Sequence, residues 1–174
     1  MYMSIVGVDA IPLGYYRSKL QAERLVEICG VPWTVQRATE FHDFIAWVAD
    51  LVSRPPVIVV PQNVSVQPVD TGEVALRVAD LVDAGPLGRV PDLGGPEVLS
   101  ARALAEAFLA ATGRSRRILE VNPPGPTLRA LRDGANLAPG HAEGRRTFGT
   151  YLEESIRGGP GPRTLDLPYA RRAP

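Results

Sequence analysis

The chain of 174 residues has a single cysteine, two histidines and no surplus of charge, with Lys plus Arg and Asp plus Glu both at 19. One cysteine excludes an internal disulfide and any cysteine-built metal cage, and the place of Cys29 in an apolar helical pattern makes it a buried small hydrophobe. His42 and His141 stand without carboxylates at metal-site spacing, so no metal is expected and His42-Asp43 reads as polar residues at a helix start. Zero net charge leaves no field to draw in nucleic acid or an anionic membrane. The short clusters at Arg114, Arg116 and Arg117, at Arg145 and Arg146, and at Arg171 and Arg172 are then solvated surface. Trp33 and Trp47 have no interleaved basic residues and suit a core or interface better than a base-stacking platform. No apolar run approaches bilayer-spanning length and no basic-then-apolar leader opens the chain, so a soluble, cytoplasmic protein is expected.

What is there alternates between two periodicities. Residues 2–7 are apolar and β-branched and predict a strand ended by Gly7. Residues 13–29 carry Tyr16, Leu20, Leu25 and Ile28 at helical spacing, with Glu23, Arg24 and Glu27 between them and Gly30 as the stop. Residues 32–36 predict a second strand, Arg37-Ala38-Thr39 the loop at its end, and Thr39 or Glu40 the opening of a helix to Leu51. The run 57–60 is a further strand, and 64–69 an alternating one. Asp70 and Glu73 cap a helix to about residue 84, and short extended pieces follow at 91–95 and 97–99. Ser100 caps a helix over 101–112 stopped by Gly113, and 117–121 is the last clear strand. Short helices are expected over 127–133 and 151–156, and residues 158–174, rich in Gly and Pro, form a flexible tail. Strands alternating with helices imply an α/β fold with a largely parallel sheet and flanking helices, followed by a small C-terminal substrate-side region, together spanning residues 1–157.

In parallel α/β sheets ligands lie at the carboxyl ends of the strands. Tyr15 and Lys19, four apart at the start of the first helix, place a phenol and an ammonium on one side. A tyrosine with a pKa near ~10 is a poor base at neutral pH, and a neighbouring ammonium favours its phenolate. Ser4, towards the end of the first strand, has a hydroxyl to offer the same place. Such a trio can hydrogen-bond a carbonyl oxygen and give or take a proton there. A Tyr and a Lys one turn apart also arise by chance on exposed helices, so the pair acquires meaning from its surroundings.

The surroundings are a Ser-bearing strand, a loop, a Tyr-x-x-x-Lys helix and a strand ending in Arg-Ala-Thr. With the text of residues 4–45, 66–82, 92–108 and 136–154, the chain resembles the short-chain dehydrogenase/reductase superfamily. Within it, the likeness is to the atypical NAD(P)-binding branch similar to NmrA proteins and nucleoside-diphosphate-sugar epimerases. The resemblance implies a Rossmann-type fold, an NAD(P) cofactor, a small carbonyl, quinone-like or nucleotide-sugar substrate, and helices that pair across a homodimer. It implies roles for Ser4 as polariser, Tyr15 as proton donor or acceptor and Lys19 as the ribose-contacting ammonium, with Arg37, Ala38, Thr39 and Phe41 on the nicotinamide side. The sequence departs from that family in one respect. No Gly-rich turn opens a helix: Gly7 is alone, Gly94-Gly95 precede Pro96, and the glycines from Gly158 on are broken by prolines. By this analogy the chain corresponds to the C-terminal portion of a longer, truncated enzyme. A non-catalytic NAD(P)-sensing regulator and an inactive remnant are the alternatives.

Overall fold

The computed structural model describes residues 1–156, and the tail expected over 158–174 lies outside the described residues. In chain order the elements are β1 (Tyr2–Ile5), α1 (Gly14–Ile28), β2 (Thr34–Ala38), α2 (His42–Val52), β3 (Val57–Pro61), β4 (Ser65–Val66), α3 (Thr71–Asp83), β5 (Gly88–Arg89), β6 (Leu99–Ser100), α4 (Ala101–Thr112), β7 (Arg117–Val121), α5 (Pro126–Arg132), a 3-10 turn at Pro139–His141, and α6 (Phe148–Ile156).

β2 is the centre of a parallel three-stranded sheet in the order β1-β2-β5, and all five of its residues are buried. Burial on both faces is what a central parallel strand requires, and its polar side chains, Thr34, Gln36 and Arg37, are each hydrogen-bonded within the fold. The β1–β2 register places Ser4 beside Arg37 and Ile5 beside Ala38. A second parallel pair joins β3 to β7, and β4 lies antiparallel to β6. The largest apolar cluster gathers Ile45, Ala46 and Ala49 of α2, Leu104 and Phe108 of α4, and Phe148, Tyr151 and Leu152 of α6. Ile58 and Val60 of β3 pack on Ala105 and Leu109 of α4, and Ala38 packs with Val69, Val74 and Leu93.

The expected caps form. The Asp70 carboxylate accepts from the N–H groups of Gly72 and Glu73, Ser100 Oγ accepts from Ala103 N–H at 3.0 Å, and Gly113 ends α4 at φ 67°. Glu73 does not cap: its carboxylate instead accepts from the backbone N–H groups of Arg145 and Arg146.

Four further expectations need correction. Strand β2 covers Thr34–Ala38 rather than 32–36, so Arg37 and Ala38 are strand, because pairing with β1 and a ladder to Leu93 carry the extended backbone onward. Cys29 is exposed at the end of α1, its thiol donating to the Val26 carbonyl, because the chain turns there before any other element covers it. The buried face of α1 is the expected one only in its first half, where Tyr16 and Leu20 pack inward. Leu25 and Ile28 are 64% and 77% exposed, whereas Glu23 is 2% exposed, since that face meets Arg37 of the sheet. The 91–95 segment attaches to β2 through the Ala38–Leu93 bridge, while the paired strand in this region is β5.

Candidate active-site cleft

A cleft of about 350 Å³ opens where β1 and β2 end, between the first turns of α1 and α2. Its position follows from two sharp departures of the chain. After β1, Gly7 takes φ 84° and lies against the Ala135 carbonyl, so a Cβ there would be both strained and obstructed. After β2, residues 39–41 are clamped by 67–69. Thr39 Oγ1 donates to the Gln67 carbonyl, Val69 N–H donates to the Glu40 carbonyl at 2.9 Å, and His42 N–H to the Val69 carbonyl at 3.0 Å.

Six of the seven residues singled out from the sequence line this cleft: Ser4, Tyr15, Lys19, Ala38, Thr39 and Phe41. Ser4 is 3% exposed, and its buried Oγ makes no hydrogen bond of ordinary geometry but is close enough to the Glu23 carboxylate to help lower it. Tyr15, 63% exposed at the start of α1, meets the ring of Tyr16 edge to face at 6.3 Å. Lys19 Nζ donates to the Met3 carbonyl at 2.8 Å and lies 4.8 Å over the Tyr2 ring. That carbonyl belongs to the edge strand of its sheet, so the ammonium presently covers a backbone acceptor.

Arg37 is not part of the cleft lining. Its Nε and Nη2 form a two-pronged pair with Glu23 at 2.8 and 2.6 Å, and Nη1 reaches Asp9 at 3.0 Å. Burial alone raises the Glu23 carboxyl, yet the bonds and charge of Arg37 outweigh it and hold Glu23 below the usual carboxylate value. Arg37 is correspondingly raised, against the opposing effect of its own burial, so both stay charged. Its role in this structure is to fasten α1, and with it Tyr15 and Lys19, to β2.

A second polar cluster fastens α2 from the other side. His42 is fully buried, Nε2 lies 2.9 Å from the Arg146 carbonyl, and burial lowers its pKa despite that contact. Its ring stacks on Tyr151 at 5.2 Å, the Tyr151 hydroxyl donates to Asp43, and Arg146 pairs with Asp70 and Glu154.

The sequence reading missed Glu40, Tyr16 and Phe44 of the cleft wall. No local signal marks Glu40, since an acid at a helix start ordinarily faces water. For a nicotinamide dinucleotide the fit is partial. The cleft has the size and the apolar walls for a ring, with a hydroxyl at Ser4, but among the described residues no Gly-rich turn opens a helix to cradle a pyrophosphate.

No family model matches the sequence, and no curated protein does. Solved structures do match. An NADPH-dependent quinone oxidoreductase from Escherichia coli superposes with a TM-score of 0.71 at 14% identity, covering 88% of this chain and 66% of the other. The same enzyme has been solved in complex with NADPH, where this chain covers 64% of it. A nucleoside-diphosphate-sugar epimerase from Staphylococcus aureus gives a TM-score of 0.64 at 13% identity over 87% and 63% of the two chains. A UDP-N-acetylglucosamine 4-epimerase from Bacillus cereus gives 0.58 at 13% over 92% and 64%. The chain thus spans just under two thirds of the length of these proteins. At such identities the likeness establishes architecture, and the described chain is built on the Rossmann-type α/β plan that these NAD(P)-binding and sugar-nucleotide proteins share.

Proposed function

We propose that this chain carries the proton-transfer and substrate side of an NAD(P)-dependent oxidoreductase of the atypical short-chain dehydrogenase/reductase kind, acting in the cytoplasm on a small carbonyl compound. The observation that carries the proposal is the convergence of Ser4, Tyr15 and Lys19 with Ala38, Thr39 and Phe41 on one cleft at the strand ends. The dinucleotide, when bound, supplies or accepts a hydride. The Ser4 hydroxyl, at the end of β1 in the cleft wall, hydrogen-bonds the substrate oxygen, and Tyr15 exchanges a proton with that oxygen. Lys19 exchanges its bond to the Met3 carbonyl for the ribose hydroxyls and the Tyr15 phenol. Ala38, Thr39 and Phe41 border the nicotinamide, and Arg37 positions α1 rather than touching the ring.

The phosphate end of the dinucleotide is held, in this proposal, by strands joined to the free edge of β1 and bearing the Gly-rich turn that the described residues lack, as in a truncated form of a longer enzyme. The chain also forms a homodimer across the exposed apolar face of α1.

Calorimetric titration with NADPH and NADH, and oxidation of each in the presence of small aryl ketones and quinones, test the catalytic assignment. Tyr15→Phe is expected to lower kcat by about 100-fold while dinucleotide affinity stays within about twofold. Unchanged turnover in that variant removes Tyr15 from the mechanism. Dinucleotide binding without turnover of any substrate favours an NmrA-like sensor, in keeping with the engagement of Lys19 by Met3, and absence of both favours an inactive remnant.

A further inference from the structure

The cleft contains an acid that the proton-transfer trio does not use. Glu40 follows β2 after one residue, its carbonyl is fixed by Val69 N–H, and it lines the cleft. Oε1 lies 3.4 Å from Asn136 Nδ2, a long hydrogen bond, and Oε2 is sealed from bulk solvent with no partner at all. Asn136 is itself 1% exposed and anchored by a 3.0 Å bond from the same Nδ2 to the Ser65 carbonyl, so it cannot swing to satisfy the acid better. A buried carboxylate with neither a cation nor a full set of donors is unfavourable, whereas a neutral carboxyl has an O–H to give.

The groups around Glu40 leave it in that condition. From α1 come Tyr15, Tyr16 and Lys19, but the Lys19 ammonium is held at the Met3 carbonyl. The Tyr16 phenol is pushed up by burial and by Glu40 itself, so it stays neutral. His42, two residues on, is turned to the Arg146 carbonyl, and Asn136 is uncharged. Burial raises the Glu40 carboxyl from 4.5 to about 7, only partly offset by its own backbone N–H and Asn136. Of the remaining walls, Met3, Ile5, Ala38, Phe41 and Phe44 are apolar or aromatic, and Ser4 and Thr39 add neutral hydroxyls, a lining that suits an uncharged occupant.

We propose that Glu40 serves as a neutral hydrogen-bond donor to the carbonyl oxygen of an uncharged, flat, apolar ligand, so that occupancy of the cleft is switched off as the carboxyl ionises. The ligand class is a one- or two-ring aryl ketone or quinone-like compound, as the volume and the walls require. This rests on the cleft being a carbonyl site, as proposed above, but not on dinucleotide binding.

The probe is 1-tetralone, titrated into the full chain by calorimetry between pH 5.5 and 8.5. Wild type is expected to bind about tenfold more weakly at the high end, the loss of one hydrogen bond to a buried partner. Glu40→Gln keeps an N–H donor at every pH and is expected to hold the tight affinity throughout, while Glu40→Leu is weak throughout. Near-UV circular dichroism of each variant confirms the native fold. Binding by wild type that does not change with pH, a Glu40→Gln profile that follows wild type, or no binding of the probe overturns the proposal. Flat but measurable binding removes the role of Glu40 and leaves the cleft as a carbonyl site. A pH-dependent response without NADPH binding leaves Glu40 in place and removes the redox assignment.

Discussion

Glu40 also bears on stability, independently of any ligand. The unfolded chain releases this proton near 4.5 and the folded chain holds it to about 7. The contribution of Glu40 to stability is therefore fully present below about 4.5 and is lost as pH rises through about 7, because the native state binds more protons in that window. Glu23, Asp70 and His42 act oppositely: their pKa values are lowered on folding, and the stability they provide is lost as pH falls. The difference between wild type and Glu40→Gln isolates one group from this background. We expect the variant to be more stable above pH 7 by about 1–3 kcal/mol, with the gap closing toward pH 4.5, as read from urea unfolding at several pH values. A gap independent of pH shows that the carboxyl ionises normally. None of this was legible in the residue type, since a glutamate at a helix start ordinarily faces water and its environment here is made by Asn136, nearly a hundred residues away in the chain.

Elements whose ends are set by local chemistry were the ones the sequence described well. Ser100 and Gly113 bracket α4, and the positions of both follow from a hydroxyl that reaches an N–H three residues on and from a backbone that needs positive φ. Ser100→Ala is expected to destabilise the fold by about 1 kcal/mol and Ser100→Gly by only a few tenths. At Gly113 a Cβ meets nothing within 4 Å, so Gly113→Ala costs only the left-handed backbone, about 1–2 kcal/mol. Chemical denaturation of the three variants checks both values, and a neutral Ser100→Ala shows that solvent replaces the cap. Helix α1 failed for the opposite reason. Of its apolar stripe Tyr16, Leu20, Leu25 and Ile28, the first two pack inward, but Arg37 on the sheet places a charge beneath α1 and draws Glu23 under it, leaving Leu25 and Ile28 exposed. Two carboxylates and a guanidinium from three segments decide that orientation. Removing one partner of such a buried pair leaves the other uncompensated, so the arrangement specifies how α1 sits more than it stabilises the chain.

At the scale of the molecule, two features remain open to association. Among the described residues β1 forms one side of its sheet with no neighbour on its outer edge, and Leu25 and Ile28 stand exposed on α1. The Lys19 ammonium covers the Met3 carbonyl, which guards that edge against indiscriminate pairing. If the α1 face joins two copies, sedimentation velocity should show a concentration-dependent monomer–dimer equilibrium, and Leu25→Arg should weaken it by at least about tenfold, because a charge replaces apolar area at the centre of the contact. A monomer at all concentrations, or a dimer indifferent to Leu25→Arg, excludes this interface.

The sequence by itself determined the alternation of strands and helices and the caps at Asp70, Ser100 and Gly113, because each depends on residues within a turn or two of one another, and it brought Ser4, Tyr15 and Lys19 to one strand end because a strand and the helix that follows it share that end. Tertiary structure alone decided that Arg37 leaves the cleft to fasten α1, that Lys19 rests on Met3, that Cys29 is exposed, and that Glu40 Oε2 is sealed without a partner. Each of those depends on charge, burial and hydrogen bonding between segments far apart in the chain, and no local pattern encodes which distant group will be there.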